Sequence, residues 1–594
     1  MTRRTVTGID TFVTQAASIV FVGVQFYLLY LRPISPLLHG LEFVCFITFL
    51  TFLRIPVGKR QWHSHEKVPW YDYAFAFLSL VPLAYALLDY SAFIDRAGVP
   101  SQLDVFVGSL MILLLLEAGR RSVGWILPLL GGLFILYAVS SVFLPDSIFL
   151  PGLSVRRVIG TLYMTELGIL GPPTQVAARW IFIFVLFAQA LLLAGGEQFF
   201  IQIAFSVAGK WRGGPAYVAI LSSALFGTLS GSNVANVLTT GQFTIPLMKR
   251  TGYSPLLAGA VEATASSGGA LMPPIMGAAA FIMAELTGVP YLRIAVAAIL
   301  PAILYYVGIT VYMYGATQRL SVQPVEMPVT LSKGALIGRY WPVLLSMAWL
   351  VYRIAVFYPL EYAALECTGM VLIAGIWSNR SMYRPQSFWE RLKGAIDGII
   401  DVGIPCAMSG VLVGVILATG LGIELAGFVT LLGQKSILAA LFVTMIVTLI
   451  LGMSVPGIAA YIITASVVVF PLGALGLPIL AIHMFVFYYS LFSGLTPPVC
   501  LTAFAAAGIS GADATRTGFQ ALILALPGYL VAYFFVFQTE LLMFGSPLII
   551  LRVFLTSLLG VMAFAVGTSG YLVTQFTFLQ RGCLILGGLL LVEK

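Results

Sequence analysis

Four short stretches of small and ring-constrained residues hold the chemistry of this sequence. Gly227-Thr-Leu-Ser-Gly-Ser-Asn233 is followed by Gly268-Gly269-Ala-Leu-Met-Pro273-Pro274, and Leu451-Gly452-Met-Ser-Val-Pro-Gly457 by Ser493-Gly494-Leu-Thr-Pro497-Pro498. All four lie in long apolar runs. A proline there removes a backbone donor and clashes with the preceding turn, so upstream carbonyls lose their helical partners. Freed carbonyls beside small hydroxyls are hard oxygen ligands, suited to a sodium ion. Helix N-termini opening from the same breaks aim partial positive charge at an anion.

The spacing repeats. Gly227 to Pro273 is 46 positions and Gly452 to Pro497 is 45; the second proline precedes a closing glycine, Gly288 or Gly511, by 14 and 13. Glycine, serine and proline also let membrane helices pack closely, and isolated pairs such as Gly131-Gly132 and Gly587-Gly588 read that way. Four interruptions in register, lined by Ser230, Ser232, Asn233, Ser266 and Ser267 in one copy and Ser454, Ser493 and Thr496 in the other, read instead as a duplicated transport module.

The elements that must position these breaks are membrane helices. Of 594 residues 60% are apolar and 9% charged, with mean hydropathy +1.00, so the solvent is largely lipid. At roughly 20 apolar residues per crossing, about sixteen membrane segments are expected, some short of a full span. The net charge of +8 does not mark a nucleic-acid binder, because the basic residues sit in short loops between apolar runs. Five cysteines in apolar stretches read as small core residues rather than a disulfide or metal framework. His63 and His65 form an H-x-H with no further ligand cluster in view.

Charge placement sets the expected topology. Arg3 and Arg4 precede the first apolar run, which is read as an uncleaved span; Arg54, Lys59, Arg60 and Lys67 follow the second, and Arg120 and Arg121 the fourth. The N-terminus is therefore expected in the cytoplasm. A fifth span at Val123–Val142 and an amphipathic segment at Ser154–Leu170, expected to lie near the outer surface, lead into the larger module. Lys210 and Arg212 before the first Gly/Ser element, with Lys249 and Arg250 after it, place both flanks on one side. The chain between is too long for one span and too short for two, so a re-entrant hairpin with its tip near Ser230–Asn233 is expected. The second element has only Lys435 before it and no charge over 470–477, which puts its hairpin on the opposite face. The repeats are thus read as inverted.

Gly241-Gln-Phe-Thr-Ile-Pro-Leu-Met-Lys-Arg-Thr-Gly-Tyr-Ser-Pro255, Gly259-Ala-Val-Glu-Ala263 and Met272-Pro-Pro-Ile-Met-Gly-Ala-Ala-Ala-Phe-Ile-Met-Ala-Glu285 resemble the fused membrane permeases of TRAP transporters, of the TAXI-associated four-plus-twelve-span type. His483-Met-Phe-Val-Phe-Tyr-Tyr489 with Leu495-Thr-Pro-Pro498 resembles that family's second half, and Leu116-Glu-Ala-Gly-Arg-Arg-Ser-Val-Gly-Trp125 its small-module signature. The resemblance covers most of residues 100–540. It implies an all-α integral membrane protein of the inner membrane of a bacterium or archaeon, built as an elevator with inverted repeats, two re-entrant hairpins, two broken helices and an N-terminal helical module. The implied organisation is a small module at 1–150, a transport module at 151–540 with repeats at about 176–318 and 399–538, and added C-terminal helices at 541–594. The implied activity is import of small carboxylates driven by sodium, with protons as the alternative. A TAXI-type periplasmic binding protein would deliver substrate to a monomeric membrane unit, and no cofactor is implied beyond the coupling ions.

By position, one cation site is expected among Ser230, Gly231, Ser232, Asn233, Ser266, Ser267, Gly268 and Gly269. A second is expected among Gly452, Ser454, Pro456, Ser493, Gly494, Thr496 and Pro497. Substrate is expected between them, near Asn233, Ala270, Pro273 and Thr496. No arginine adjoins either break, which leaves carboxylate recognition to hydroxyls and helix dipoles. Glu262 and His483 lie on the apolar helices that lead into the breaks. Each has two readings: a proton-linked group, or a buried hydrogen-bonding strut. Competing functions are a one-component anion symporter without a binding protein, an ion channel and a membrane enzyme. The small module speaks against the first. The second would need a filter repeat or a ring of acids, and the third a catalytic motif such as H-E-x-x-H or G-x-S-x-G.

Overall fold

The computed structural model describes residues 3, 4, 7–58, 67–140, 153–320, 332–378, 384–453 and 456–591. His63, His65, Lys59, Arg60 and Ser454 lie outside the described residues. Apart from one isolated bridge, Tyr571 to Gln575, the regular structure among the described residues is helical. Among the described residues twelve helices are long and apolar enough to cross a membrane, and seven shorter apolar ones accompany them.

The first eight helices are α1 (Ile9–Leu31), α2 (Pro36–Arg54), α3 (Trp70–Leu78), α4 (Val81–Leu88), α5 (Tyr90–Asp95), α6 (Gln102–Ser122), α7 (Ile126–Ser140) and α8 (Val155–Met164). Local chemistry fixes their starts. Ser35 accepts from Leu38 N with Pro36 at the first helical position of α2, and Ser101 with Asp104 closes a reciprocal cap on α6. The amphipathic α8 does not lie free on a surface: Val158, Ile159, Leu162 and Tyr163 are buried, and Gly108 of α6 lets Tyr163 approach.

Two runs of seven helices follow. The first is α9 (Pro172–Leu193), α10 (Gly196–Ala208), α11 (Gly214–Ser230), α12 (Asn233–Arg250), α13 (Pro255–Gly269), α14 (Ala278–Thr287) and α15 (Tyr291–Leu320). After α16 (Lys333–Ala355) and α17 (Leu360–Ser378) comes the second: α18 (Pro385–Thr419), α19 (Leu421–Lys435), α20 (Ile437–Gly452), α21 (Gly457–Ala474), α22 (Ile479–Phe492), α23 (Leu501–Ser510) and α24 (Ala514–Phe537). The order of lengths matches: a long entry helix, two arms of 17 and 18 residues against 16 and 18, a helix of 15 against 14, one of 10 in each, and a long exit helix. Helices α25 (Pro547–Ser569) and α26 (Phe578–Leu590) close the chain, and Cys583 on α26 is exposed rather than a core residue.

The described chain forms two compact units. One comprises Met1–Leu186, Trp389–Ile437 and Ser454–Pro471; the other Phe187–Phe388, Leu438–Met453 and Leu472–Lys594. In the first, the N-terminal helices pack on α18 through glycines, where backbone approaches closely. A Cβ at Gly403 would meet the Phe43 ring, one at Gly410 the Gly168 carbonyl, and Gly119 faces Met408. Charged residues complete this packing: Arg54 Nε bonds Asp397 Oδ1 at 2.9 Å and Arg3 Nη2 bonds Asp401 Oδ1 at 2.6 Å. Deeper in, Asp72 pairs with Arg4 and, at 2.7 Å, with Arg121. These three side chains are almost wholly removed from solvent, which opposite charge and hydrogen bonds must offset.

In the second unit the two runs interlock. Helix α13 packs against α11, α12, α23 and α24, and α15 against α24 and α25. Helix α22 is buried on every side from Leu480 to Phe492, as an all-round apolar helix must be.

Candidate functional site

The first hairpin turns at Gly231 and Ser232. Gly231 adopts φ +58, and a side chain there would press on Met276 O and Gly277 Cα. Ser232 caps α12 by accepting from Ala235 N, and Ser230 Oγ donates to Ser232 O. The arms close on α13 at a glycine pair: a Cβ on Gly227 would stand 2.2 Å from Gly269 Cα. Asn236 Nδ2 donates to Ser223 O at 2.9 Å and to Ser266 O at 3.5 Å beside them.

Glu262 fastens this assembly. It is fully buried, and its Oε1 accepts from Ser223 Oγ (2.8 Å), Thr240 Oγ1 (2.5 Å) and Ser266 Oγ (3.3 Å) while Oε2 accepts from Thr244 Oγ1 (2.5 Å). One carboxylate thus joins both hairpin arms to the broken helix, as the strut reading requires. The threonine hydroxyls also reach backbone acceptors, Asn236 O at 2.9 Å and Thr240 O at 3.0 Å, so the cage accommodates either charge state. Ser223, Thr240, Thr244 and Asn236 were not among the expected residues. Their signal is Asn236, Thr240 and Thr244 at intervals of four on one face of an apolar arm.

Both expected breaks are present. Helix α13 ends at Gly269 and α14 starts at Ala278; α22 ends at Phe492 and α23 starts at Leu501. Pro273–Pro274 and Pro497–Pro498 are both cis. Ala270 O accepts from Gly277 N at 2.8 Å, closing the first break into a loop, and Gly494 O accepts from Thr502 N at 3.0 Å in the second. Neither α14 nor α23 has a side-chain cap at its N-terminus; Ala280 N donates to Gly277 O and Thr502 N to Gly494 O, and the other first-turn N–H groups remain available to an anion. Carbonyls upstream of the first break are partly taken: Tyr305 Oη donates to Thr264 O at 2.7 Å and Tyr306 Oη to Ala265 O at 2.8 Å. Ser267 Oγ turns back to Ala263 O and Ser493 Oγ to Ser490 O.

The runs meet at the hairpin tip. Asn233 Nδ2 donates to Leu491 O at 3.0 Å, so the tip of the first hairpin touches the last turn before the second break. Asn233 Oδ1 is buried with no hydrogen-bond partner, an open acceptor where an oxygen ligand is wanted. Beyond it, Thr496 Oγ1 donates to Phe492 O at 2.9 Å and lies 2.8 Å from Tyr529 Oη. Tyr305 and Tyr529, each 32 positions after the first proline of its pair, both stack on Phe492, at centroid distances of 5.2 and 4.8 Å. The Tyr305 ring fits because Gly268 and Gly528 leave it room; a Cβ at either would come within 2.2 Å of ring carbons. The equal offset of these tyrosines is the signal for them in the sequence.

In the second element Gly452 is the buried last residue of α20, and Pro456 stands just before α21. The arms of that hairpin fall in different compact units. His483 is buried within α22. Among the described residues no three His, Cys, Asp or Glu side chains gather as a transition-metal site.

Comparison with known proteins bears on this geometry. The model of the family described as tripartite ATP-independent periplasmic transporter, DctM component, matches residues 110–547. The chain is 29% identical over 229 residues to an uncharacterized protein, y4mL, of Sinorhizobium fredii, covering 37% of this chain and 51% of that one, about half of the relative's length. It is 28% identical over 338 residues to the C4-dicarboxylate TRAP transporter large permease protein DctM of Pseudomonas aeruginosa, covering 55% and 76%. It is 26% identical over 208 residues to the isethionate TRAP transporter permease protein DctMQ of Oleidesulfovibrio alaskensis, covering 33% and 32%.

Proposed function

This chain belongs to the DctM family of tripartite ATP-independent periplasmic transporters, and from that premise we propose that it is a secondary importer of small organic anions. It is a multi-pass membrane protein and a permease rather than an enzyme. The named relatives handle a C4-dicarboxylate and isethionate, which supports a small carboxylate or sulfonate-sized anion as the cargo. A periplasmic binding protein, of the TAXI type by the resemblance to the fused permeases, delivers it, and a sodium gradient drives uptake.

The observation that carries this reading is the Asn233 contact with Leu491 O. It sets the tip of one hairpin against the turn before the other run's break, so that small hydroxyls, an unpartnered amide oxygen and uncapped helix N-termini surround one place. Oxygens suit the cation and N–H dipoles suit the anion. Hairpin, broken helix and tyrosine column travel together as the moving body of an elevator, with an N-terminus in the cytoplasm.

Uptake of labelled anions into proteoliposomes tests this, with and without the cognate binding protein, under sodium or proton gradients. The reading requires sodium-driven uptake that depends on the binding protein. Uptake indifferent to that protein identifies a one-component symporter, and proton-driven uptake moves the coupling role to Glu262.

A further inference from the structure

At the second break a chain of hydroxyls ends on one backbone carbonyl. Phe492 O, at the end of α22, accepts from Leu495 N at 2.9 Å and from Thr496 Oγ1 at 2.9 Å. Tyr529 Oη, on α24, lies 2.8 Å from Thr496 Oγ1 and 3.4 Å from Phe492 O. A carbonyl has two lone pairs, and the two shorter bonds fill them. The Tyr529 proton therefore goes to Thr496. We infer that Tyr529 is a positioning residue for the coupling cation, setting the Thr496 hydroxyl so that it offers a lone pair and no proton. This rests on the sodium-coupled reading given above, and it assigns Thr496 to the cation rather than to the anion.

The hydrogen inventory carries the inference. Around Thr496 Oγ1 stand Cβ, the proton given to Phe492 O and the lone pair that receives the Tyr529 proton, which leaves one lone pair. Phe492 and Tyr529 are buried and Thr496 is half-buried, so that lone pair is directed away from the aromatic packing. A threonine hydroxyl rotates to suit its surroundings. Receiving a bond strengthens the one it gives, which keeps the Thr496 proton turned to Phe492 O. Tyr529 is itself held: its ring stacks on Phe492 at 4.8 Å, and its carbonyl accepts from Tyr489 Oη at 2.6 Å. Neighbouring groups are set the same way. Ser493 Oγ donates to Ser490 O at 2.7 Å and Ser267 Oγ to Ala263 O at 3.0 Å. Asn233 donates to Leu491 O and keeps Oδ1 open. These side chains present oxygen acceptors, which a hard cation takes as ligands and an ionised carboxylate, itself acceptor-only, cannot use.

The test is thermal unfolding of the full chain in an uncharged detergent, with choline replacing sodium at constant ionic strength. Sodium is expected to raise the wild-type midpoint saturably. Tyr529→Phe keeps the ring and loses the hydroxyl. Its half-saturating sodium concentration is expected about five-fold above wild type, each variant being referred to its own midpoint in choline. A merely structural role would move that midpoint and leave the half-saturation alone. Thr496→Ala is expected to weaken sodium at least as much, and Tyr529→Phe added to it to bring no further shift. Absence of sodium stabilisation in the wild type overturns the sodium reading and this assignment together. Sodium stabilisation of the wild type with an unchanged half-saturation in Tyr529→Phe overturns the assignment alone, as does an additive shift in the double variant.

Discussion

Asn233 and Leu491 stand 258 positions apart in sequence and 3.0 Å apart in space, the side-chain amide of one donating to the carbonyl of the other. Asn233 opens the second arm of the first hairpin, and Leu491 lies in the last turn of the helix that breaks at Phe492. Replacing Asn233 with Ala removes both this bond and the unpartnered Oδ1. Uptake is expected to fall about ten-fold or more, since each 1.4 kcal/mol of lost stabilisation is a factor of ten. Transport rates in proteoliposomes, with thermal unfolding as a control for folding, check it.

Ser232 and Thr496 mark the two sides of the proposed pocket. Ser232→Leu removes a helix cap and Thr496→Leu removes the hydroxyl between Phe492 O and Tyr529 Oη. Each substitution is expected to abolish coupled uptake while leaving expression intact. Normal rates in either variant would refute the assignment.

Glu262 separates strut from proton carrier. Glu262→Gln keeps an oxygen to accept from Ser223, Thr240 and Ser266 and turns an amide N–H to the Thr244 hydroxyl oxygen, so as a strut it preserves uptake and its pH profile. Glu262→Leu leaves Ser266 Oγ without its acceptor and removes the one group that joins Ser223, Thr240 and Thr244 to the broken helix, their hydroxyls falling back on one another and on backbone carbonyls; an unsatisfied buried hydroxyl costs about 1–3 kcal/mol. A sharp loss of thermal stability is expected there and not in the glutamine variant. If Glu262 carries the coupling proton, Glu262→Gln instead loses uptake and flattens its pH dependence while remaining folded.

The Tyr305 ring and Gly268 share one space. A methyl group at Gly268 would sit 2.1 Å from ring carbon Cε1, so Gly268→Ala forces the column apart at a cost of about 1–3 kcal/mol. Tyr305→Phe keeps the stack on Phe492 and loses only the bond to Thr264 O, for about 1 kcal/mol. Chemical or thermal unfolding should rank Gly268→Ala as the more damaging.

Much of this arrangement was legible in the sequence because glycine and proline act locally. Pro273-Pro274 and Pro497-Pro498 break apolar helices whatever surrounds them, and Gly231 makes a hairpin tip by its own backbone freedom. The partners of Glu262 were less legible. Threonines in an apolar arm look alike until packing decides which face meets the carboxylate, and only burial of Glu262 selects Thr240 and Thr244. The tyrosine column depends on contacts between the two runs, which spacing within one run does not announce. Likewise α8 reads as a surface helix by its charged face, yet Gly108 makes room for Ile159 and Tyr163, and Gly160 of α8 lets Pro100 approach, so that its apolar face is buried.

The account rests on both breaks lining one pocket, and substrate protection of single cysteines measures that directly. Ser232→Cys and Thr496→Cys would each be labelled in proteoliposomes with a membrane-permeant maleimide, against rising concentrations of the anion selected by uptake. Both cysteines should be protected with the same half-saturating concentration, and only when sodium is present. Protection of one without the other, or of both at unrelated concentrations, would contradict a shared pocket.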